Sequence, residues 1–406
     1  MSTGCTTVTV TRVEPGETEM LTYTDSVEVW VVPIVPGEYY IESPLLNNPF
    51  IEPLTDGAVG DYFTVGALSD NEDNSFIVEF IHNGDFGYYT FKKEYTDSEG
   101  TVSERYLGFS SASAGNKLRF YNNCSTNTKW FDIEKCLSGY YKITPQVSAQ
   151  WGRVLSSDAD PVTGEHLTIQ TYTLDSGFED EWIFRRVLPR SGSELEYDTD
   201  LWDTYVEIAC NCYGYALNNQ TLPGTNTLWE KQQPGAYGGE MFSDITEEAI
   251  CSAVCNDYKK YNEEFDQLLT FERIGRYDVC PEGTYKVALV AGSDDGGNLD
   301  YHWYRQDVNG LWSHKAGFSP LSNVDASGNL IFDPLMANRN NTSSGGANYS
   351  YFLGYYAVSP WNELVDLNED FLYQWYDWFG QPRVITADEY LQWYMGIFGP
   401  LDWYEA

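Results

Sequence analysis

The residues best suited to covalent chemistry stand around Cys212, in the segment Asn211-Cys-Tyr-Gly-Tyr-Ala216. A strand-like stretch precedes this segment, and its small and aromatic residues recur at helical spacing. We therefore predict that a helix begins close to Cys212. At the start of a helix the backbone N–H groups are free and the dipole favours a thiolate over a thiol, which suits a nucleophile. The same N–H groups can stabilise a developing oxyanion.

A nucleophilic cysteine needs a base, and His302 is the best placed of the four histidines. It lies in Asp300–Asp307, a segment with the alternation of a strand, and an Asn-Gly turn follows at 309–310. The second strand of this predicted hairpin carries His314, for which we expect a surface position. His302 would take the thiol proton and later return it to the leaving group.

The nucleophile segment resembles that of papain-fold cysteine hydrolases, especially the cysteine/histidine amidohydrolase–peptidase group. The segment from Asp300 to Pro334 is similar to a block that accompanies an Asn-Cys-Tyr-x-Tyr-Ala motif in uncharacterised bacterial and phage proteins. The resemblance covers roughly residues 200–358. It implies an α+β papain-like domain with Cys212 as the nucleophile and His302 as the base.

The papain layout implies two further roles. It takes the residue that orients the histidine ring from a later strand, and we favour Asp325 for this role; the alternatives are Asn323, Asn329 and Asp333. It also places a glutamine, as an oxyanion donor, roughly six residues before the cysteine, where this chain has Val206. Asn211 or backbone N–H groups would have to replace that glutamine.

Simpler interpretations of the same residues are open. Cys212 can be a small core residue and His302 a hydrogen-bonded strand residue, although their pairing favours catalysis. Cys212 could also join a zinc site with Cys210, Cys251 and Cys255. Neither pair of cysteines has the two-residue gap that is common in zinc sites, so we predict no metal and no cofactor.

The composition restricts the possible partners. The chain has 406 residues, of which 61 are acidic and 23 are basic, and its net charge is −38. This charge excludes nucleic acid and anionic membranes as main partners. We see no basic-then-apolar leader and no apolar run that could span a bilayer. We therefore predict no membrane insertion, and a location that is either cytoplasmic or within a virion.

Residues 37–188 repeat one pattern three times. The repeats begin with Gly37-Glu-Tyr-Tyr-Ile, Gly87-Tyr-Tyr-Thr-Phe and Gly139-Tyr-Tyr-Lys-Ile, and Phe76, Trp130 and Trp182 stand near their ends. The pattern resembles a β-trefoil of the ricin-B type. The Gln-x-Trp motif of the related lectins is missing, so we expect these three aromatic residues to belong to the core and not to a sugar site.

The remaining segments complete a multidomain organisation, an all-β β-trefoil followed by an α+β papain-like domain with an aromatic helical tail. The predicted parts are an N-terminal β arm at 1–36, the β-trefoil at 37–188, a polar linker at 189–200, the papain-like domain at 201–358 and the tail at 359–406. Two helices are predicted in the tail, at 371–379 and 387–398. Segments so rich in aromatic residues pack on a domain or on a neighbouring subunit.

Two functions are compatible with this organisation. The first is a cysteine hydrolase, a peptidase or amidase, that acts on a peptide or a cell-wall substrate and is directed to glycans by the lectin-like β-trefoil. The alternative is a non-enzymatic structural or adhesive component of a larger assembly, such as a phage virion, with a vestigial hydrolase fold. In that case the N-terminal arm and the aromatic tail would mediate self-assembly or contact virion partners.

Overall fold

The described residues of the chain belong to two compact units. In this computed structural model they are 4–15, 20–45, 49–53, 58–68, 73–83, 86–96, 100–111, 113–146, 153–157, 166–172, 180–202, 210–219, 233–317, 319–361, 373–376 and 382–385. Unit 1 is Met1–Val187 and unit 2 is Leu188–Ala406. Within the described ranges, no helix combines the length and the apolar character needed to cross a membrane.

The chain begins with a long hairpin. Strand β1 (Gly4–Pro15) pairs antiparallel with β2 (Met20–Val31), with Gly4 opposite Val31. Alternating Thr and Val residues, as in Thr7-Val-Thr-Val-Thr11, favour extended backbone because their branched side chains fit a pleated surface. The two strands form a sheet of their own.

Unit 1 continues with three successive sets of four strands. They are β3 (Gly37–Glu42), β4 (Pro49–Pro53), β5 (Phe63–Ala67) and β6 (Phe76–Asn83); β7 (Phe86–Thr96), β8 (Val102–Gly108), β9 (Arg119–Tyr121) and β10 (Phe131–Lys135); and β11 (Tyr141–Pro145), β12 (Arg153–Ser156), β13 (Thr168–Thr171) and β14 (Ile183–Arg186). A 3-10 helix, Asn127–Lys129, precedes β10.

The outer strands of the three sets close into a ring. Antiparallel pairing runs from β3 to β6, β7, β10 and β11, and β14 pairs back onto β3. A bridge between Tyr141 and Trp182 joins β11 to β14. The inner strands form three hairpins, β4–β5, β8–β9 and β12–β13. A closed six-stranded barrel with three hairpins is the β-trefoil that the sequence repeat predicts, and closure removes the free edges of the sheet.

Equivalent positions of the three sets line one apolar centre in the barrel. The first strands contribute Ile41, Phe91 and Ile143, and the second strands contribute Ile51, Leu107 and Leu155. Phe76 and Trp182 are fully buried, and the Trp182 indole N–H donates to the Leu155 carbonyl at 3.0 Å. The core role expected of these two residues is confirmed. Trp130 is partly exposed and stacks on Tyr88, with ring centroids 4.4 Å apart.

Unit 2 is built on a six-stranded antiparallel sheet with helices. Its elements are α1 (Thr199–Trp202), α2 (Cys212–Ala216), α3 (Glu247–Phe265), β15 (Phe271–Ile274), β16 (Tyr285–Ser293), β17 (Leu299–Gln306), β18 (Trp312–Lys315), β19 (Leu321–Ser322), a 3-10 helix at Thr342–Ser344, β20 (Asn348–Val358), β21 (Tyr373–Tyr376) and β22 (Pro382–Ile385). The strand order is β15-β20-β16-β17-β18-β19. The predicted β17–β18 hairpin is present, with Arg305 opposite Ser313.

The sheet of unit 2 is covered on both faces. Successive residues of a strand point to opposite faces, so Trp303 and Tyr304 of β17 belong to different cores. We call the core that contains Trp303 the helix-side core, because α2 and α3 supply part of it. We call the core that contains Tyr304 the loop-side core, where Trp312 and Ile331 pack. Residues 301–307 are all buried.

The segment 189–200, which we expected to be a linker, packs against the rest of unit 2. The buried Lys286 ammonium donates to the Pro189 carbonyl at 3.2 Å, and the Ser191 hydroxyl donates to the Thr284 carbonyl at 2.6 Å. Leu195 forms a parallel bridge with Asp307. Polar composition alone predicted a loop, but its backbone groups are satisfied by partners far away in the sequence.

The helix predicted at 371–379 is wrong where the structure describes it. Strands β21 and β22 occupy 373–376 and 382–385 and pair antiparallel, with Tyr373 opposite Ile385. Aromatic residues favour strands as readily as helices, so aromatic content alone does not distinguish the two. The helix predicted at 387–398 lies outside the described residues.

We expect Leu107→Ala to destabilise unit 1 by about 2–5 kcal/mol, because it opens a cavity in the centre of the barrel. Leu107 is 2% exposed, whereas Leu137 is fully exposed in the β10–β11 turn. Leu137→Ala is therefore the matched control and should change stability by less than about 0.5 kcal/mol. Urea unfolding followed by tryptophan fluorescence measures both. Equal effects of the two substitutions would contradict the barrel core described above.

Candidate functional site

Cys212 is the first residue of α2, as the sequence predicts. Asn211 is the N-cap of this helix, and its side-chain oxygen accepts hydrogen bonds from the N–H groups of Tyr213 at 3.1 Å and Gly214 at 3.2 Å. The cap satisfies two of the N–H groups that a helix start leaves unpaired. The carbonyl oxygen of the Asn211 side chain therefore has a structural task, and the N–H groups of Tyr213 and Gly214 are occupied by it.

Contacts with distant residues hold α2 in place. The Tyr213 hydroxyl donates to the Asp257 carboxylate of α3 at 2.7 Å, and Asp257 also accepts from the Gly235 and Gly238 N–H groups. On the sheet side, the Tyr215 hydroxyl lies 2.6 Å from the Ser313 hydroxyl. Burial raises the pKa of Asp257, and its hydrogen bonds oppose that rise.

A buried lysine fixes the chain just before α2. The Lys315 ammonium, which is fully buried, donates to the carbonyls of Cys210 at 2.9 Å, Gly317 at 3.1 Å and Ser319 at 3.2 Å. A buried ammonium needs such acceptors, because burial without them is costly. Lys315 therefore joins the end of β18 to the backbone beside Cys212.

His302 is hydrogen-bonded to His314. The Nε2 atom of His302 lies 2.8 Å from Nδ1 of His314, and Nε2 of His314 lies 3.2 Å from the Val324 carbonyl. A carbonyl can only accept, so neutral His314 carries its proton on Nε2 and accepts at Nδ1. His302 then donates from Nε2, and its Nδ1 carries the lone pair. Burial and then His314 hold the pKa of His302 well below its usual value, and burial lowers the pKa of His314 to about 4.

His314 is half-buried and its ring packs inward, so the surface position expected for it holds only in part. Its ring lies against Tyr304 at 4.9 Å and against His302 at 4.9 Å, measured between ring centroids. The hairpin register could have revealed this contact. Because Arg305 faces Ser313, extension of the register puts His314 opposite Tyr304 and diagonal to His302.

Cys212 and His302 belong to different cores of unit 2. Cys212 packs in the helix-side core. His302 stands between Tyr301 and Trp303, which both face the helices, so its ring points to the loop side. There it stacks on Tyr349, with centroids 5.2 Å apart at 26°, and meets the edge of Tyr304.

Two tyrosines nevertheless neighbour both predicted catalytic residues. Burial and then Asp300 raise the pKa of Tyr349, and a negative charge on Cys212 raises it further. The pKa of Tyr304 is raised by burial, and Cys212 contributes in the same way. Tyr304 and Tyr349 both also contact the His302 ring. Tyr304 and Tyr349 therefore contact His302, and their pKa values also respond to a charge on Cys212.

Asp325, our choice for the residue that orients His302, organises a loop. Its carboxylate accepts from the N–H groups of Ser327 at 2.8 Å, Asn329 at 3.1 Å and Asn338 at 2.9 Å. These contacts form an Asx-type turn. The partner that fixes the His302 ring in the structure is His314, which sequence reasoning did not propose for that task.

A buried ion pair, Arg305 with Asp307, lies at the end of β17. The Arg305 guanidinium donates to the Asp307 carboxylate and to the Glu196 carbonyl at 2.9 Å, and it covers the Tyr215 ring at 4.1 Å. Both members of the pair are 1% exposed. Burial raises the pKa of Asp307 to about 6, and the attraction of Arg305 opposes that rise. The pair ties β17 to α2 and to the segment before α1.

The cysteines do not form a metal site among the described residues. No group of three or more His, Cys, Asp or Glu side chains there could hold an ion. Cys210 and Cys280 are buried, Cys251 is half-buried and Cys255 is exposed. The acidic turn that begins at Asp294 is closed by the Asn298 N–H and side-chain amide, each at 2.8 Å.

No protein-family model matches this chain. A search of curated proteins finds Insoluble matrix shell protein 1 of Ruditapes philippinarum, 34% identical over 152 residues. The match covers 37% of this chain and 80% of that protein. The chain belongs to the family of Insoluble matrix shell protein 1. Membership of this shell matrix family rests on sequence identity and is independent of the site geometry.

A comparison with solved structures finds matches of low similarity. A mosquitocidal holotoxin has a TM-score of 0.30 at 18% identity and covers 37% of this chain, which spans 17% of the toxin chain. The designed threefold-symmetric protein ThreeFoil has a TM-score of 0.28 at 16% identity over 36% of this chain and 97% of its own. A Polyporus squamosus lectin has a TM-score of 0.30 at 13% identity, over 71% of this chain and 94% of the lectin chain. At these scores, the β-trefoil of unit 1 is established by its strand pairing alone.

We expect the two bonded histidines to make unit 2 sensitive to acid. Their folded pKa values lie below 6.5, so between about pH 4 and 6.5 the unfolded chain binds more protons, and stability falls as the pH falls. Each proton contributes a slope of about 1.4 kcal/mol per pH unit. Asp307 acts in the opposite sense, because its pKa is raised.

The His302→Gln/His314→Gln variant isolates the histidine contribution, because Asp307 is present in both proteins. Urea unfolding at several pH values should give the wild type a steeper loss of stability below pH 6.5 than this variant. Parallel curves for the two proteins would show that the pair titrates normally.

Proposed function

We propose that this protein is a structural component of an insoluble protein matrix and acts by assembly, not by catalysis. The observation that carries the proposal is the 34% identity to Insoluble matrix shell protein 1, of which the chain covers 80%. The name of that relative describes a matrix constituent. The match covers 80% of the relative's length and 37% of this chain. The matrix role replaces the phage virion of our sequence-based alternative.

The charge of the chain determines how such a protein could assemble. Copies with a net charge of −38 repel one another. Association therefore requires screening or neutralisation of the carboxylates. Divalent cations such as Ca²⁺ bind carboxylate oxygens and can bridge two copies, whereas Na⁺ only screens. We infer that matrix formation depends on divalent cations.

The N-terminal hairpin is a suitable assembly element. β1 and β2 pair over twelve residues each, and in the described part of the chain each has the other as its sole strand partner. A two-stranded sheet is marginally stable in water and has two edges that can accept further strands. The N-terminal arm is thus our proposed contact between copies, and the tail at 359–406 is the second proposed contact.

The internal placement of the candidate catalytic residues also supports a structural role. The Asn211 side-chain oxygen caps α2, and His302 is hydrogen-bonded to His314 on the loop side of the sheet. Cys212 is 6% exposed. Each of these residues therefore contributes contacts that stabilise unit 2 whether or not a substrate is present.

We expect Ca²⁺ to convert the full-length protein from a small species to large assemblies. The change should be absent in NaCl of equal ionic strength, because only a divalent ion bridges carboxylates. Analytical ultracentrifugation of both samples measures it. Deletion of residues 1–36 should abolish the large species, whereas the fold of unit 2 should remain.

Two results would contradict this assembly mechanism. Large assemblies at equal ionic strength in NaCl would remove the need for a divalent ion. Unchanged Ca²⁺-dependent assembly after separate deletion of 1–36 and of 359–406 would exclude both proposed contacts. Circular dichroism of each deletion variant must show an intact fold for either comparison.

A cysteine hydrolase is the second candidate function, and the start of α2 at Cys212 favours it. A neutral His302, whose ring contacts Tyr304 and Tyr349, is compatible with this function, and burial, with a further contribution from a charge on Cys212, raises the pKa of both tyrosines. Its oxyanion donor, Asp325 in the orienting role, and glycan binding by the β-trefoil all stay predictions. A papain-like classification of unit 2 also stays a prediction.

Thiol labelling separates the two functions. If the protein is structural, iodoacetamide should modify the exposed Cys255 first, and Cys212 should react only after unfolding, because it is nearly buried. Peptide mapping by mass spectrometry locates the modified residue. In the Cys255→Ser variant, the label expected on Cys255 should be absent. Rapid labelling of Cys212 in the folded protein that is lost in His302→Gln would support the hydrolase instead.

A further inference from the structure

A cluster of basic side chains surrounds one tyrosine at the hairpin end of the β-trefoil. The three hairpins of unit 1 meet there through two bridges, Tyr62 with Arg119 and Lys117 with Thr168. His166 lies just before β13, next in sequence to Leu167, whose N–H donates to the Phe63 carbonyl at 2.8 Å. All three inner hairpins therefore contribute to this cluster, which we call the cap cluster: Tyr62, Lys117, Arg119 and His166.

The geometry of the cap cluster is centred on the Tyr62 ring. The Lys117 ammonium lies 5.2 Å from the ring centroid, and the Arg119 guanidinium carbon lies 4.8 Å from it. The His166 ring stacks on Tyr62, with centroids 4.7 Å apart at 28°. Arg119 also donates to the Tyr62 hydroxyl at 3.2 Å. Cations favour the face of an aromatic ring, so one tyrosine can hold these groups together.

Among the described residues, the cations of the cap cluster lack the carboxylate partners that other cations have. Among the described residues, Lys142 pairs with Glu134 at 3.3 Å and Arg185 with Glu42 at 2.6 Å. In the same part of the chain, no carboxylate lies within 4 Å of Lys117 or Arg119. In a chain with 61 acidic residues against 23 basic ones, two neighbouring cations with no acidic partner in the described ranges are unexpected.

Polar atoms of the cap cluster are also unsatisfied. Nε of Arg119 and Nδ1 of His166 are both buried, and neither has a hydrogen-bond partner in the described structure. Buried donors and acceptors normally have hydrogen-bond partners. Two such atoms without partners in one cluster therefore point to a missing ligand. The proximity of the charges is also evident at His166, whose pKa is lowered by burial and then by Lys117.

We propose that the cap cluster binds a small oxyanion, a single carboxylate or sulfate group. Arg119 can bind such a group through two N–H donors, and Lys117 can add a third. The Tyr62 ring is covered by His166 and Arg119, so it is not a platform for a neutral sugar. A polyanion is disfavoured because the net charge of the chain repels it. This inference does not depend on the proposed matrix role.

Titration with inorganic sulfate tests the proposal. Isothermal calorimetry on the full-length protein, with chloride used to keep the ionic strength constant, should detect one site. Lys117→Gln and Arg119→Gln should each weaken binding about tenfold or more. Lys142→Gln is the matched control, since it makes the same charge change and its ammonium also lies over a tyrosine ring, Tyr172, at 4.2 Å, but it has Glu134 as partner.

Two further probes identify the source of the anionic group. Glucuronate should compete with sulfate and glucose should not, if the site recognises the charge. Competition by glucose, or tight binding of heparin without binding of sulfate, would overturn the proposal. So would the absence of sulfate binding, or equal binding by the wild type, Lys117→Gln and Arg119→Gln. If Arg119→Gln fails to fold by circular dichroism, Lys117→Gln and His166→Gln carry the same test.

Discussion

The burial of β17 on both faces is the constraint on which unit 2 depends. Every residue from 301 to 307 is buried, and several of them are polar. Each polar side chain must therefore find a partner inside the protein, because an unpaired group there is costly. His302 bonds to His314, Arg305 pairs with Asp307, and Gln306 donates to the Leu188 carbonyl at 2.8 Å. These partners position β18, α2 and the segment that opens unit 2.

The same constraint gives the predicted catalytic residues of unit 2 contacts within the fold. A helix-start cysteine, a strand histidine and an asparagine beside the cysteine are suited to catalysis when they face one cleft. Here the strand alternation turns His302 to the loop side, where it bonds to His314, and Asn211 caps the helix that Cys212 begins. His302 and Asn211 therefore make hydrogen bonds that also stabilise the fold.

Short-range patterns predicted much of the architecture, whereas partners across strands were harder to foresee. The threefold repeat predicted the barrel, because equivalent residues such as Ile41 and Ile143 must fill one centre. The Asn-Gly turn likewise predicted the β17–β18 hairpin. The contact of His314 with His302 depends on a diagonal across that hairpin, which a search for single motifs overlooks. At 373–376 the aromatic content led us to predict a helix where the structure has a strand, because aromatic residues suit strands and helices alike.

The proposed matrix role, together with the net charge of −38, predicts cation-dependent assembly that does not need the Cys212 thiol. The most direct measurement is sedimentation of the Cys212→Ser variant in Ca²⁺ beside the wild type. If the protein is structural, the variant forms the same Ca²⁺-dependent assemblies as the wild type. Loss of those assemblies in a variant that is still folded, or their absence in the wild type, would contradict the matrix role.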